Sequence, residues 1–199
     1  MTIDEQKKNL RILCSKKRDL LKRRDRNLSH KLTNKIVEIE ELKKVKIIAS
    51  FISIKTEIST KLLNYYLISI GKKICLPVIL NNNKHLIFRT YDKDTILNEG
   101  KFGIPEPDKS REEILPDLIL TPCLAFDLFG YRLGYGGGYY DRTFTKFRKI
   151  SHPFVSVAVA YDGQKINKVI RDKVDQKIDY ILTEKKIYRT KWKLFLLEI

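Results

Sequence analysis

The sequence has few of the residues that build disulfide or metal frameworks. Its 199 residues include three cysteines, Cys14, Cys75 and Cys123, which lie far apart and form no C-x-x-C pair. Neither a zinc site nor a disulfide framework is indicated, and dispersed thiols are typical of a reducing compartment. Because 43% of the residues are apolar, we expect one domain over residues 1–199 that folds without either kind of cross-link.

Long apolar runs are also missing. No stretch approaches the roughly 18 consecutive apolar residues of a membrane-spanning helix. The N-terminus is rich in Lys and Arg but has no apolar segment behind it, so it does not resemble a signal peptide. We therefore predict a cytoplasmic protein with no membrane partner. We also expect the protein to act as a monomer.

Acidic residues are scarce relative to basic ones. The chain has 24 Asp and Glu against 40 Lys and Arg, for a formal net charge of +16, and residues 7–31 hold eleven of the cations. Such a run is typical of an RNA-binding segment or of a solvated helix face. Because the segment lacks interleaved aromatic residues that could stack on bases, we favour the solvated helix and regard nucleic-acid binding as the alternative.

Hydrophobic periodicity predicts alternating helices and strands. The predicted helices cover residues 4–24, a segment from Ser29 onwards, residues 61–70 ending at Gly71, and residues 139–147. The predicted strands cover residues 47–52, 73–78, 86–90, 118–121, 155–160 and 180–183, with a hairpin turn at 81–83. Residues 91–117 are predicted to be irregular, and residues 192–199 are too few to classify. This order predicts an α/β fold with helices on both faces of a parallel or mixed sheet.

The first predicted helix has an apolar stripe with cations along one edge. The residues predicted to be on the stripe are Leu10, Leu13, Cys14, Lys17 and Leu21. At 100° per residue, Lys7, Arg11 and Arg18 fall within about 40° of one another beside it.

A glycine cluster is the most informative local feature. Gly134, Gly136, Gly137 and Gly138 occupy five positions just before a predicted helix. Glycine lets the backbone approach a ligand and turn its N–H groups toward an anion, and the helix N-terminus adds partial positive charge. Neither the P-loop pattern nor G-x-G-x-x-G is present, since Tyr139 stands at the third glycine position. We predict a phosphate cradle, the alternative being a tight strand-to-helix turn.

The residues around the glycines suggest roles in the same site. Arg132 could bind a phosphate through two hydrogen bonds. Asp141 suits Mg²⁺ beside phosphates, although an acid in the first turn of a helix is also favourable by itself. Tyr135, Tyr139 and Tyr140 offer flat faces for a heteroaromatic ring, or could pack in the core.

At this motif the sequence resembles the 5-formyltetrahydrofolate cyclo-ligases, also called methenyltetrahydrofolate synthetases. The matching residues are Ala125-Phe126-Asp127, Gly130, Arg132-Leu133-Gly134 and Gly136-Gly137-Gly138-Tyr139-Tyr140-Asp141. Further matches are Lys7-x-x-Leu10-Arg11, Phe51-Ile52-Ser53-Ile54 with Glu57-Ile58, Gly103-Ile104-Pro105-Glu106-Pro107, and Asp175 with Asp179 and Thr183-Glu184. The chain departs from the family pattern at Val174, where many relatives have His, and at Thr121-Pro122-Cys123, where Val-Pro-Gly is usual.

The resemblance implies a three-layer α/β/α sandwich around a mixed, mostly parallel sheet. It implies closure of 5-formyltetrahydrofolate, which could be polyglutamylated, to 5,10-methenyltetrahydrofolate, with ATP as co-substrate and Mg²⁺ as cofactor. The implied ATP-binding residues are Lys7, Lys8, Arg11, Arg132, Leu133, Gly134, Tyr135, Gly136, Gly137, Gly138, Tyr139 and Tyr140. The implied folate-binding residues are Ile52, Glu57, Tyr139 and Tyr140, and the implied Mg²⁺ ligands are Asp141 and Asp175.

Two rival interpretations keep part of these observations. An ATP-dependent enzyme that acts on another acid would use the same glycine loop. An RNA-binding protein would use the basic segment 7–31, but it would give the loop no role.

Overall fold

The structure, a computed structural model, describes residues 1–25, 28–80 and 84–190. The helices are α1 (Ile3–Arg23), α2 (His30–Ile36), α3 (Lys61–Ser69) and α4 (Tyr139–Lys149). The strands are β1 (Ile47–Ala49), β2 (Lys73–Val78), β3 (Ile87–Tyr91), β4 (Leu97–Glu99), β5 (Pro105–Pro107), β6 (Leu118–Pro122), β7 (Ala125–Phe126), β8 (Arg132–Leu133), β9 (Val155–Val159), β10 (Tyr180–Leu182) and β11 (Ile187–Arg189).

Seven of these strands form one sheet in the order β11-β10-β9-β6-β1-β2-β3. The five inner strands, β10, β9, β6, β1 and β2, are parallel, and the two edge strands pair antiparallel with their neighbours. Two small hairpins, β4–β5 and β7–β8, lie outside this sheet. The prediction of a mixed, mostly parallel α/β fold is confirmed.

Alternate residues of the strands face opposite sides of the sheet, as the strand period of two requires. On one side, Ile48 and Ile74 pack with Leu32 of α2 and Leu63 of α3. On the other side, neighbouring residues such as Ala49 and Cys75 pack with Phe144 of α4. The sheet therefore carries helices on both faces, as the three-layer prediction requires.

Helix α1 begins at a capping box, in which Thr2 and Glu5 exchange side-chain and backbone hydrogen bonds. Of the predicted apolar stripe, Cys14 is buried and Leu10 and Leu21 pack against the core, whereas Leu13 and Lys17 are exposed. Leu13 is 64% exposed, whereas Lys7, Cys14 and Arg18 are buried. The prediction for Leu13 is wrong because the fold turns the cationic edge of this helix toward the protein.

Most predicted elements are confirmed, with four differences. The strand predicted over 47–52 ends at Ala49, so Phe51 and Ile52 belong to the loop after it. Residues 91–117 contain the short hairpin β4–β5. The β7–β8 hairpin and β11 were not predicted, because strands of two or three residues show too little periodicity. The predicted turn at 81–83 and the segment 192–199 lie outside the described residues.

Within the described ranges, no helix is both long and apolar enough to cross a membrane. The prediction that residues 1–199 form a single domain stays a prediction.

Candidate active site

A cavity of about 1050 Å³ opens at the carboxyl ends of β1, β2 and β6. Ligands in open α/β sheets bind at this edge, because strands end and loops converge there. Its wall includes Lys7 and Arg11 of α1, several residues between 51 and 57, several between 102 and 106, residues 132–142 and part of residues 170–175. Most of the sequence-predicted site residues thus meet in one place.

The glycine loop runs from β8 into α4 along this cavity. Gly136 and Gly138 have positive φ angles of 103° and 66°, which L-residues with a side chain rarely adopt. Arg11 reaches the loop from α1, and its Nε donates a hydrogen bond to the Gly134 carbonyl oxygen at 3.0 Å. A Cβ at Gly136 would lie 3.2 Å from the Arg11 Cζ. The loop conformation and the position of Arg11 therefore depend on each other.

Replacing Gly136 with alanine should weaken the binding of a phosphate-bearing ligand at this loop about tenfold, because it strains the loop and displaces the Arg11 guanidinium. Gly71→Ala is the matched control, since Gly71 also has a positive φ, of 79°, but nothing within 4 Å of its Cβ position. Titration of both variants with a nucleoside triphosphate checks this. Equal dissociation constants in the two variants would show that the space beside Arg11 does not matter.

Arg132 and Asp141 form an ion pair at the N-terminus of α4. The Arg132 Nη1 lies 3.2 Å from the Asp141 Oδ1 and donates to the Gln176 carbonyl oxygen at 3.4 Å. The guanidinium carbon stands 5.8 Å and 5.1 Å from the ring centroids of Tyr140 and Phe144. With its side chain 4% exposed, Arg132 is a cation fixed by packing as well as by charge.

Lys7 lies between two carboxylates in the wall of the same cavity. Its Nζ is 2.7 Å from the Asp172 Oδ2 and 2.5 Å from the Asp175 Oδ2. Burial lowers the pKa of Lys7, but the hydrogen bonds to the two acids outweigh it, so the pKa is raised overall. The same contact with Lys7 lowers the pKa of Asp172. Lys7 is therefore a fixed positive charge in contact with one of the predicted Mg²⁺ ligands.

The buried carboxylate of Glu57 forms a separate charged centre in the cavity wall. Its Oε1 accepts a hydrogen bond from the Tyr135 hydroxyl at 3.0 Å, and its Oε2 accepts one from the Ile54 N–H at 2.9 Å. Arg18 of α1 approaches the same carboxylate, with its Nη1 3.8 Å from Oε1. Burial raises the pKa of Glu57, although these three contacts partly oppose the shift. The centre joins α1, the loop after β1 and the glycine loop.

Aromatic rings line the space between these centres. Tyr139 meets Phe102 edge-on at 6.4 Å between ring centroids. Phe102 itself is 70% exposed and has a positive φ of 61°. Burial raises the pKa of Tyr140, and it raises the pKa of Tyr135 to about 12, so both hydroxyls are protonated at neutral pH. The tyrosine rings can pack against a flat ligand while their hydroxyls form hydrogen bonds.

Comparison with known proteins identifies the family of this site. A sequence profile of the 5-formyltetrahydrofolate cyclo-ligase family matches residues 3–184. The chain belongs to that family of enzymes. Among cyclo-ligases of the same name, that of Haemophilus influenzae is 38% identical over 143 residues, covering 69% of this chain and 75% of the relative. That of Escherichia coli K12 is 32% identical over 146 residues, covering 71% and 79%.

Solved cyclo-ligase-family structures have the same fold. The NMR structure of the Aquifex aeolicus 5,10-methenyltetrahydrofolate synthetase superposes with a TM-score of 0.76 at 31% identity, covering 96% of this chain and 94% of the other. The Mycoplasma pneumoniae 5,10-methenyltetrahydrofolate synthetase superposes with a TM-score of 0.66 at 23% identity, covering 92% and 99%. The second likeness supports the fold alone.

The predicted site residues of the chain line the cavity, with one exception. The predicted residues that line it are Lys7, Arg11, Ile52, Glu57, Arg132, Leu133, Gly134, Tyr135, Gly136, Gly137, Gly138, Tyr139, Tyr140, Asp141 and Asp175. Lys8 is exposed on α1 and is not part of the wall. The family departures also differ in place, since Val174 lines the cavity and Cys123 is buried.

Sequence reasoning missed three residues of this cyclo-ligase site. Asp172 pairs with Lys7, Phe102 stands at the rim, and Arg18 contacts Glu57. For Arg18 a signal existed, because it shares its helix edge with Lys7 and Arg11. Asp172 and Phe102 carry no comparable pattern, because their roles depend on contacts between segments distant in the chain.

The cyclo-ligase site has a donor set that suits Mg²⁺ shared with a nucleotide. Among the described residues, no group of three or more His, Cys, Asp and Glu side chains could hold a metal alone. Mg²⁺ usually binds through one or two carboxylates together with substrate phosphates. Asp141 and Asp175 both line the cavity that contains the glycine loop, so the residues fit a metal that arrives with ATP.

Proposed function

We propose that the chain catalyses the ATP- and Mg²⁺-dependent closure of 5-formyltetrahydrofolate to 5,10-methenyltetrahydrofolate, releasing ADP and phosphate, as a monomeric cytoplasmic enzyme. The single observation that carries this proposal is the meeting of two unlike centres in one cavity. One is a glycine loop surrounded by cations, and the other is a buried carboxylate beside aromatic rings. The first suits a triphosphate and the second a reduced pterin.

The phosphate end is built from fixed positive charges. Arg11, Arg132 and Lys7 surround the glycine loop, and the N-terminus of α4 follows it directly. Phosphoryl transfer depends mainly on positioning and on neutralising charge at the phosphate oxygens. These side chains supply both, since Arg11 and Arg132 are held in place by contacts with the protein before any nucleotide binds.

The folate end uses Glu57 as an acceptor. The pyrimidinone part of a reduced pterin presents an N–H and an amino group side by side, which one carboxylate can accept together. Glu57 receives one protein hydrogen bond on each oxygen, and a carboxylate oxygen has two lone pairs. Each oxygen therefore keeps a lone pair for the ring. Ile52, Tyr139 and Tyr140 would cover its faces.

The chemistry needs no nucleophile from the protein. The formyl oxygen on nitrogen 5 attacks the γ-phosphorus of ATP and ADP leaves, which gives an imidate phosphate. Nitrogen 10 then attacks the same carbon, its proton is lost, and the carbon–oxygen bond breaks to release phosphate with the former formyl oxygen. The protein holds the two substrates within reach of each other and excludes water from the intermediate.

Asp141 and Asp175 would hold Mg²⁺, which would offset the negative charge of the phosphate groups. Asp175 pairs with Lys7, and Asp141 pairs with Arg132. Each acid therefore lies beside a fixed cation that would share the charge of the phosphate oxygens with the metal.

Incubating the purified protein with 5-formyltetrahydrofolate, ATP and Mg²⁺ tests the proposal. We expect the near-ultraviolet absorbance of the methenyl product to rise, and to stay flat when ATP is omitted or Mg²⁺ is chelated. Absorbance that stays flat in the complete mixture, with ATP consumed in the presence of another carboxylic acid, would favour an ATP-dependent enzyme of different substrate.

The net charge of +16 suggests a further preference for polyglutamylated folates, whose tails are polyanionic. Electrostatic attraction between exposed charges is screened by salt, with a Debye length of about 10 Å at 0.1 M. We expect rising ionic strength to increase the KM for a long polyglutamate form more than that for the monoglutamate. Equal salt dependence of the two KM values would remove this preference.

A further inference from the structure

Arg18 is buried, although it carries a charged guanidinium. Its side chain is 1% exposed, and that of its carboxylate neighbour Glu57 is 4% exposed. A buried ion pair is costly to desolvate, and well-packed apolar residues can often replace it without loss of stability. Stability alone is therefore a weak reason for an arginine at this position.

The three nitrogens of the Arg18 guanidinium contact three different segments. Its Nε donates to the Thr56 hydroxyl at 3.1 Å, and its Nη1 donates to the Cys123 carbonyl oxygen at 3.2 Å. Its Nη2 donates to the Tyr135 hydroxyl. These partners belong to the loop after β1, the segment after β6 and the glycine loop. One planar group thus joins three segments of the chain beside the cavity.

The Tyr135 hydroxyl continues the chain of contacts. It accepts from Arg18 and donates to the Glu57 Oε1 at 3.0 Å. A hydroxyl has a single proton, so the donor from Arg18 sets the direction in which Tyr135 points its own. Arg18 therefore orients Glu57 directly by charge and indirectly through Tyr135.

We propose that Arg18 is a positioning residue that fixes the folate-binding carboxylate of Glu57 and, through Tyr135, ties it to the nucleotide-binding loop. This inference rests on the proposed cyclo-ligase function. Arg18 touches neither substrate in this account; it acts through the two side chains that it holds. Its removal should weaken folate binding more than nucleotide binding.

The ionisation of Glu57 gives the inference a specific signature. Burial raises the pKa of Glu57, and the charges of Arg18 and Lys55 together with the hydrogen bonds from Ile54 and Tyr135 lower it. The Tyr140 ring of α4 also faces this acid. A raised pKa means that Glu57 loses its charge as the pH falls through that value. Without the Arg18 charge, this loss should occur at a higher pH.

Two substitutions separate charge from geometry. Arg18→Gln removes the charge, and Arg18→Lys keeps it without the planar fork. Lys16→Gln is the matched control, because Lys16 is an exposed cation on the same helix. The measurements are the KM for 5-formyltetrahydrofolate, the KM for ATP and the pH profile of kcat/KM for the folate, each on variants shown by circular dichroism to be folded.

We expect Arg18→Gln to raise the folate KM about tenfold or more, as loss of hydrogen bonds to a charged group does, with the ATP KM within about twofold. Its acidic limb should move to higher pH, whereas Arg18→Lys should keep the limb and recover part of the KM. Lys16→Gln should match the parent. Folded Arg18→Gln with the parent's folate KM and acidic limb would overturn the inference. A parent protein that forms no methenyl product would instead overturn the proposed function itself.

Discussion

Replacing Arg132 with lysine should lower kcat for methenyl formation about a hundredfold or more, the usual cost of removing a preorganised group that stabilises transition-state charge. Lysine would keep the charge, so simple neutralisation of phosphate would survive. It would lose the planar fork that lets one side chain hold Asp141 and still bind phosphate oxygens through two hydrogen bonds. It would also lose the packing on Tyr140 and Phe144.

Arg148→Lys is the matched control for that substitution. Arg148 also stands over the Phe144 ring, at 5.9 Å, and donates to the Lys177 carbonyl oxygen, but it is outside the cavity wall. We expect Arg148→Lys to keep kcat within about twofold, since Arg148 is exposed and does not line the cavity. A similar kcat in the two variants would mean that Arg132 serves only the packing of α4.

Replacing Glu57 with glutamine should lower kcat/KM for 5-formyltetrahydrofolate about a hundredfold, because the pterin donors would meet an uncharged amide that also presents N–H groups. The KM for ATP should stay within about twofold. The acidic limb that Glu57 gives to the pH profile should disappear as well: the pKa of Glu57 is raised, so in the parent enzyme activity falls as the pH drops through that value.

Glu41→Gln provides the control for Glu57→Gln. Glu41 also accepts a tyrosine hydroxyl, that of Tyr180 at 2.9 Å, but it lies away from the cavity. This control tests whether the loss of a carboxylate that accepts a tyrosine hydrogen bond lowers activity only by destabilising the fold. Should Glu57→Gln bind the folate as the parent does while keeping its acidic limb, another group must be the pterin acceptor.

The local half of the fold could be predicted because apolar patterns are local. The run over residues 73–78 corresponds to β2, and Gly71 ends α3 with a positive φ. The glycine cluster likewise predicts the proposed phosphate loop, since few other roles need four glycines in five positions. The β7–β8 hairpin that leads into this loop could not be predicted, because strands of two residues show too little periodicity.

The charged contacts of the site could not be predicted, because they join residues that are far apart in the sequence. Lys7 and Asp172 are 165 residues apart, and Arg18 and Tyr135 are 117 apart. Helical periodicity placed the cations on one edge of α1, but it could not show that this edge faces inward. A buried cation also contradicts the usual expectation for Lys and Arg. The partners of the buried cations come close to them only in the folded chain, where the loops after the strands meet.

The claim on which the account depends is that the formyl oxygen of the folate attacks the γ-phosphate of ATP in this cavity. Turnover of 5-formyltetrahydrofolate carrying oxygen-18 in its formyl group, followed by mass spectrometry of the released phosphate, tests it most directly. We predict that methenyl product forms and that each phosphate carries one oxygen-18. Methenyl product accompanied by unlabelled phosphate, or no methenyl product at all, would contradict the account.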